Sequence, residues 1–145
     1  MGEEKCCTVI NQYYGCCERN DSIGSSGENI YSTEETVCGK WIDGKTIYRK
    51  VIVGKLAEES GGAQLFANVP ELNIDRVIKL YGNMNQNENL YQIVFPVSFN
   101  EPSGVFAEIN MYYDVKANNI LYHFLNNAGQ YSGCTAYVII EYTKK

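Results

Sequence analysis

From residue 31 onward the chain is a series of strand-sized runs separated by turn residues, and no stretch makes a convincing helix. The runs fall at 36–42, 45–53, 75–82, 90–99, 105–115, 119–125 and 134–143. "NIDRVIKLYG" is short and rich in β-branched residues, which favours a strand over a helical turn. Regular strands with turns between them predict an all-β fold, an antiparallel, jelly-roll-like β-sandwich of about seven strands. A short extended N-terminal segment should precede it.

Local signals add detail. Asp43-Gly44 in "KWIDGKTIYRK" predicts a hairpin with a two-residue type I′ loop, in which both central residues take positive φ. That register sets Trp41 opposite Thr46 and Lys40 opposite Ile47. Pro96 cannot donate to a ladder, so the run 90–99 should be interrupted or lie at an edge. "KAN" at 116–118 reads as a turn, because asparagine tolerates the left-handed conformation. "EESGGAQ" and "NMNQNEN" read as loops, and "QLFANVPEL" gives mixed signals. The expected core or interface positions are Val37, Trp41, Ile47, Val51, Val77, Ile93, Phe95, Ile109, Leu121, Val138 and Ile140.

Residues 1–30 differ from the rest. They hold four of the six cysteines and the polar cluster "RNDSIGSSGEN", which cannot bury apolar area and reads as a linker. Two units follow: an N-terminal attachment segment with its linker, 1–30, and a β-module, 31–145. A chain of 145 residues suits one core. A net charge of −5 argues against nucleic acid as a partner, since phosphate contacts need a basic face. No apolar run approaches the roughly 20 residues that span a bilayer, so membrane insertion is not expected. "MGEEKCC" lacks the basic-then-apolar layout of a signal peptide.

The candidates for chemistry are few. Cys6-Cys7 and Cys16-Cys17 are adjacent pairs with eight residues between them. Four thiolates can hold zinc tetrahedrally, but ligand pairs are normally separated by two to four residues. A disulfide staple and plain apolar packing remain open beside the metal. His123 is the sole histidine, so no histidine-based metal set exists, and no serine lies in a nucleophile elbow. The acids are scattered. No catalytic residue and no cofactor are expected. The 12 tyrosines suit a β-protein with an interaction surface. Tyr112, Tyr113, Tyr122 and Tyr131 are the candidates for an oligomer or glycan surface. Adjacent Tyr112 and Tyr113 must point to opposite faces, one inward and one outward.

Three segments carry a family resemblance: "GKWIDGKTIYRK" at Gly39–Lys50, "NIDRVIKLYG" at Asn73–Gly82 and "AYVIIEYTK" at Ala136–Lys144. In that order they resemble a C-terminal module of bacteriophage structural proteins, especially fibre and baseplate proteins. The module's hairpin typically carries proline where this chain has Thr46, and Cys38 and Cys134 stand where other residues are usual. The resemblance covers residues 31–145. It implies a small β-sandwich displayed on a virion, often as a homotrimer, without enzyme activity.

The expectation is a bacteriophage virion structural protein: a short fibre or a decoration protein on head or tail, made in the host cytoplasm. Cys6, Cys7, Val9, Ile10, Tyr13, Tyr14, Cys16 and Cys17 would dock it to capsid, tail or baseplate proteins. A host-surface glycan is a further candidate partner. The alternatives are a carbohydrate-binding adhesin module, with its site in loops 83–89, 100–104 and 126–133, and a small metal protein with a four-cysteine site.

Overall fold

Two antiparallel sheets face each other across a shared core. The computed structural model describes residues 29–86 and 91–145, together with the backbone of two short strands, Val9–Ile10 (β1) and Tyr13–Tyr14 (β2), which pair antiparallel. The remaining strands are β3 (Thr36–Lys40), β4 (Thr46–Lys55), β5 (Gly61–Asn68), β6 (Ile74–Gln86), β7 (Tyr91–Phe95), β8 (Val97–Asn100), β9 (Phe106–Asp114), β10 (Asn119–Asn126) and β11 (Thr135–Lys144). One sheet has the order β3-β4-β11-β6-β7, the other β5-β10-β9-β8. This is the expected all-β sandwich, with nine strands rather than seven. The wrapping is jelly-roll-like in that β4 and β5 pair with β11 and β10. It departs from that pattern at β6–β7 and β8–β9, two successive hairpins that occupy one sheet each.

The extra strands have physical reasons. Gly61–Asn68 begins in "EESGGAQ", expected as loop; β10 recruits it by pairing Leu121 with Leu65 and Phe124 with Gly61. Nonlocal pairing overrides weak local propensity here. The run 90–99 is two strands in different sheets. β7 ends at Phe95, a cis Phe95–Pro96 peptide follows, and β8 starts at Val97. The start of "NMNQNEN" is also strand, because Asn83–Gln86 extends β6 against Tyr91–Val94 of β7.

The first hairpin is real, but its register is one residue off the expectation. Trp41 N–H donates to Lys45 O at 2.9 Å, and Gly44 N–H donates to Trp41 O at 2.9 Å. Among the described residues of this loop only Gly44 has positive φ, at 85°. A type I′ loop needs two such residues, so this is a three-residue loop: a type I turn ending in a glycine bulge. Lys40 therefore faces Thr46, not Ile47. Asp43 Oδ1 accepts from Lys45 N–H at 2.9 Å and locks the turn. At 116–118 the turn is as expected, with Asn118 at φ 54°.

β11 lies at the centre of its sheet. Its inward residues Ala136, Val138, Ile140 and Tyr142 are all fully buried. They pack with Met84, Phe95, Ile109, Tyr122 and Phe124 in one cluster, and with Val69, Leu72, Ile74 and Ile120 in another. Of the expected core, Phe95, Ile109, Val138 and Ile140 are fully buried. Trp41, Ile47, Val51, Val77, Ile93 and Leu121 are half-buried. Val37 is 61% exposed, since it lies on edge strand β3. Gly82 lies inside β6 because the Phe95 ring and the Tyr137 carbonyl occupy the space a Cβ would need.

Candidate functional site

The outer faces of the two sheets offer the candidate surfaces. On the five-stranded sheet, cross-strand pairing sets Val53, Tyr137, Asn83 and Val94 in one row and Val51, Ile139 and Tyr81 in the next. Asn85 and Gln92 pair beside them. Residues 29–33 approach this face, with Val51 N–H donating to Ser32 O at 2.8 Å. Tyr31, Ser32 and Thr33, with these outward residues other than Val94, line an open groove of about 630 Å³.

One end of that face is closed by a buried ion pair. Arg49 Nη2 lies 2.7 Å and Nε 2.9 Å from Glu141 Oε1, and the two residues are 6% and 4% exposed. The Arg49 guanidinium carbon sits 4.5 Å from the centre of the Tyr31 ring, and Asn29 Oδ1 accepts from Arg49 Nη1 at 3.4 Å. The Tyr31 and Tyr81 hydroxyls are 3.4 Å apart. Burial, with that hydrogen bond, pushes the Tyr81 phenol up to about 12. A second clasp ties the chain before β3 to β11: Lys144 Nζ donates to Glu35 Oε1 at 2.6 Å, and the Tyr142 hydroxyl donates to Glu35 Oε2.

The outer face of the four-stranded sheet is different. Leu121 is flanked by Leu65 on β5 and Tyr112 on β9, giving an apolar row across three strands. Leu65 is 57% exposed and Tyr112 42%. Further along the face, His123 Nδ1 lies 3.4 Å from Glu108 Oε1, half-exposed, and Asn110 also donates to Glu108. A hydrolytic triad needs the imidazole between nucleophile and carboxylate. Here Glu108 stands between His123 and its strand partner Ser98.

The tyrosine expectations divide. Tyr112 points out and Tyr113 in, where its hydroxyl donates to Asn118 Oδ1 at 3.0 Å. Tyr122 and Tyr131, expected on a surface, are buried at 1% and 3% exposure. Ala57 N–H donates to the Tyr122 hydroxyl at 2.6 Å, which satisfies the phenol inside the core, and Phe66 meets the ring edge-on. Tyr131 packs edge-on against Phe99.

The loops 83–89, 100–104 and 126–133 do meet as far as they are described. Gln86, Glu101 and Gln130 border a hollow of about 390 Å³, and Gln86 Nε2 donates to Gln130 O at 3.0 Å. Cys6, Cys7, Cys16 and Cys17 lie outside the described residues, as do the side chains of Val9, Ile10, Tyr13 and Tyr14. Among the described residues no three metal-ligating side chains cluster. Sequence reasoning held the groove amides Asn83 and Asn85 only as part of loop 83–89, grouped with loops 100–104 and 126–133, and did not single out Gln92. Their signal was the alternation Asn-Met-Asn-Gln, a weak period of two.

These features define the class: a two-sheet antiparallel β-sandwich with one groove-bearing face and one face crossed by an apolar row. No family model, curated protein or solved structure matches the chain.

Proposed function

We propose that this chain is a structural protein of a bacteriophage particle, a short fibre or decoration protein on head or tail. The β-module 31–145 is displayed, and residues 1–30 anchor it to capsid, tail or baseplate proteins. The reading assigns no reaction and no cofactor. One observation carries it. The three segments that resemble phage structural modules are not scattered in space. They form β3–β4, β6 and β11, and β4, β11 and β6 are hydrogen-bonded neighbours in one sheet. Their adjacency supports the reading, because the three segments build one continuous part of a single sheet.

The module assembles as a homotrimer in this reading. The apolar row Leu65–Leu121–Tyr112 supports it, because exposed apolar patches mark protein contacts. Light scattering during size-exclusion chromatography tests it: the 16.3 kDa chain should elute at three times that mass. Leu65→Arg should convert the trimer to monomer without unfolding it. A wild-type monomer at micromolar concentration would overturn the assembly reading. Attachment to a host surface follows from display on a particle, with the assembled module facing outward.

A further inference from the structure

The groove on the five-stranded sheet is not used by the assembly reading. Its lining combines three tyrosines, Tyr31, Tyr81 and Tyr137, with three amides, Asn83, Asn85 and Gln92, over a valine and isoleucine floor. No lining residue is charged, in a chain of net charge −5. Several other amide side chains bond to the protein: Asn68 to Asn119, Gln86 to the Gln130 carbonyl, Asn126 to Ser132 and Asn127 to Gly104, whereas the buried Gln130 amide has no partner among the described residues. Asn83, Asn85 and Gln92 make no side-chain hydrogen bond among the described residues, and each offers two donors and an acceptor.

We infer that this groove is a binding cleft for an uncharged oligosaccharide. A sugar ring presents an apolar C–H face and a rim of hydroxyls that both donate and accept. The tyrosine rings match the first and the amides match the second. An apolar peptide would bury those three amides without partners, which is costly. An anionic glycan would find no cation in the lining: Arg49 beside it is held by Glu141, and the exposed Lys79 lies 3.6 Å from the same carboxylate. The volume of about 630 Å³ lies within the roughly 300–1,000 Å³ of small-molecule sites. Tyr31 is positioned before any ligand arrives: one ring face lies over Arg49, its hydroxyl meets Tyr81, and it is still 56% exposed.

The inference goes beyond the virion reading and stands on one chain, so a monomer in the mass measurement leaves it intact. Its test is calorimetric titration of the full chain with hexasaccharides of β-1,4-glucose, α-1,4-glucose and β-1,4-N-acetylglucosamine, with oligogalacturonate as the anionic comparison. At least one neutral hexasaccharide should bind with Kd below about 1 mM. Asn85→Ala and Tyr137→Ala should each weaken it about tenfold or more, while Lys116→Ala, in the exposed turn after β9, should not. Because Tyr137 is half-buried, amide shift mapping on the unmutated protein gives a second reading, with changes expected at 81–85, 92 and 137–139. Four results would overturn the proposal: no binding of any neutral hexasaccharide at 10 mM, tighter binding of the oligogalacturonate, unchanged affinity in both groove variants, or shifts mapping to other residues. Loss of an oligomer in Asn85→Ala would give the groove to a second copy and overturn it too.

Discussion

Each sheet pairs a glutamate with a basic side chain across strands on its outer face, and the two pairs sit in opposite environments. Arg49–Glu141, on the five-stranded sheet, has side chains 7% and 5% exposed and lies under Tyr31. His123–Glu108, on the four-stranded sheet, has side chains 39% and 29% exposed, with nothing described above it. Both come from neighbouring strands of one sheet. What separates them is the chain at 29–33, which covers the first and leaves the second in water. A covered pair has lost its solvation and depends on its partner, whereas an exposed pair is screened and contributes little.

The largest effect should come from uncovering that dependence. Glu141→Ala leaves Arg49 buried without its carboxylate and should cost about 3–5 kcal/mol in denaturant unfolding. Replacing both residues by apolar ones of similar size should recover most of the loss. A cost of the single change below about 1 kcal/mol would mean that water reaches Arg49 and that Tyr31 does not cover it.

Next in size is the inner side of the same sheet. Gly82→Ala sets a methyl against the Phe95 ring and the Tyr137 carbonyl, and the carbonyl belongs to the central strand. We expect a loss of about 1–3 kcal/mol. Gly104→Ala, at φ 87° with open space around it, separates steric cost from backbone cost.

A smaller, pH-dependent effect belongs to the second clasp. Burial alone would raise the Glu35 carboxyl, but hydrogen bonds from Lys144 and Tyr142 outweigh it, and the net shift is downward. A depressed carboxylate stabilises the fold above its unfolded value, near 4.5, and loses that contribution as pH falls through the lower folded value. Melting temperature should therefore decline below about pH 4.5, and Glu35→Gln should flatten that decline. An unchanged profile in the variant would remove Glu35 from the account. The smallest effect is Glu108→Ala, expected within about 0.5 kcal/mol of wild type, because a surface pair is worth little. A larger loss would show that the open face is covered in solution.

These contrasts also separate what the sequence carries from what only the fold supplies. The Asp43-Gly44 hairpin was legible, but Asp-Gly suits both a two-residue type I′ loop and a type I turn with a glycine bulge, and only the backbone chooses. In "NILYHFL" both faces are apolar, so the pattern could not say that Ile120, Tyr122 and Phe124 point inward. The inward set is decided by the opposite sheet. Strand β5 was illegible for a related reason: "GGAQ" has no strand preference of its own and is held by β10. The aromatic part of the groove was visible as tyrosine enrichment. Its amides were hidden in a polar tract that looks like loop until β7 pairs with it. The Arg49–Glu141 pair joins residues 92 apart in sequence, a separation no local pattern reaches.

The position of β11 has a consequence for synthesis. β4 and β6 are hydrogen-bonded to each other only through it. Until residues 135–144 leave the ribosome, the β3–β4 and β6–β7 hairpins each present an open edge rich in valine and isoleucine. β5 waits in the same way for β10. Until β11 emerges, those edges stay unpaired, the condition in which strands from neighbouring chains pair with one another. Its yield in a cell should therefore depend more on chaperone supply and expression rate than on the stability of the finished sandwich.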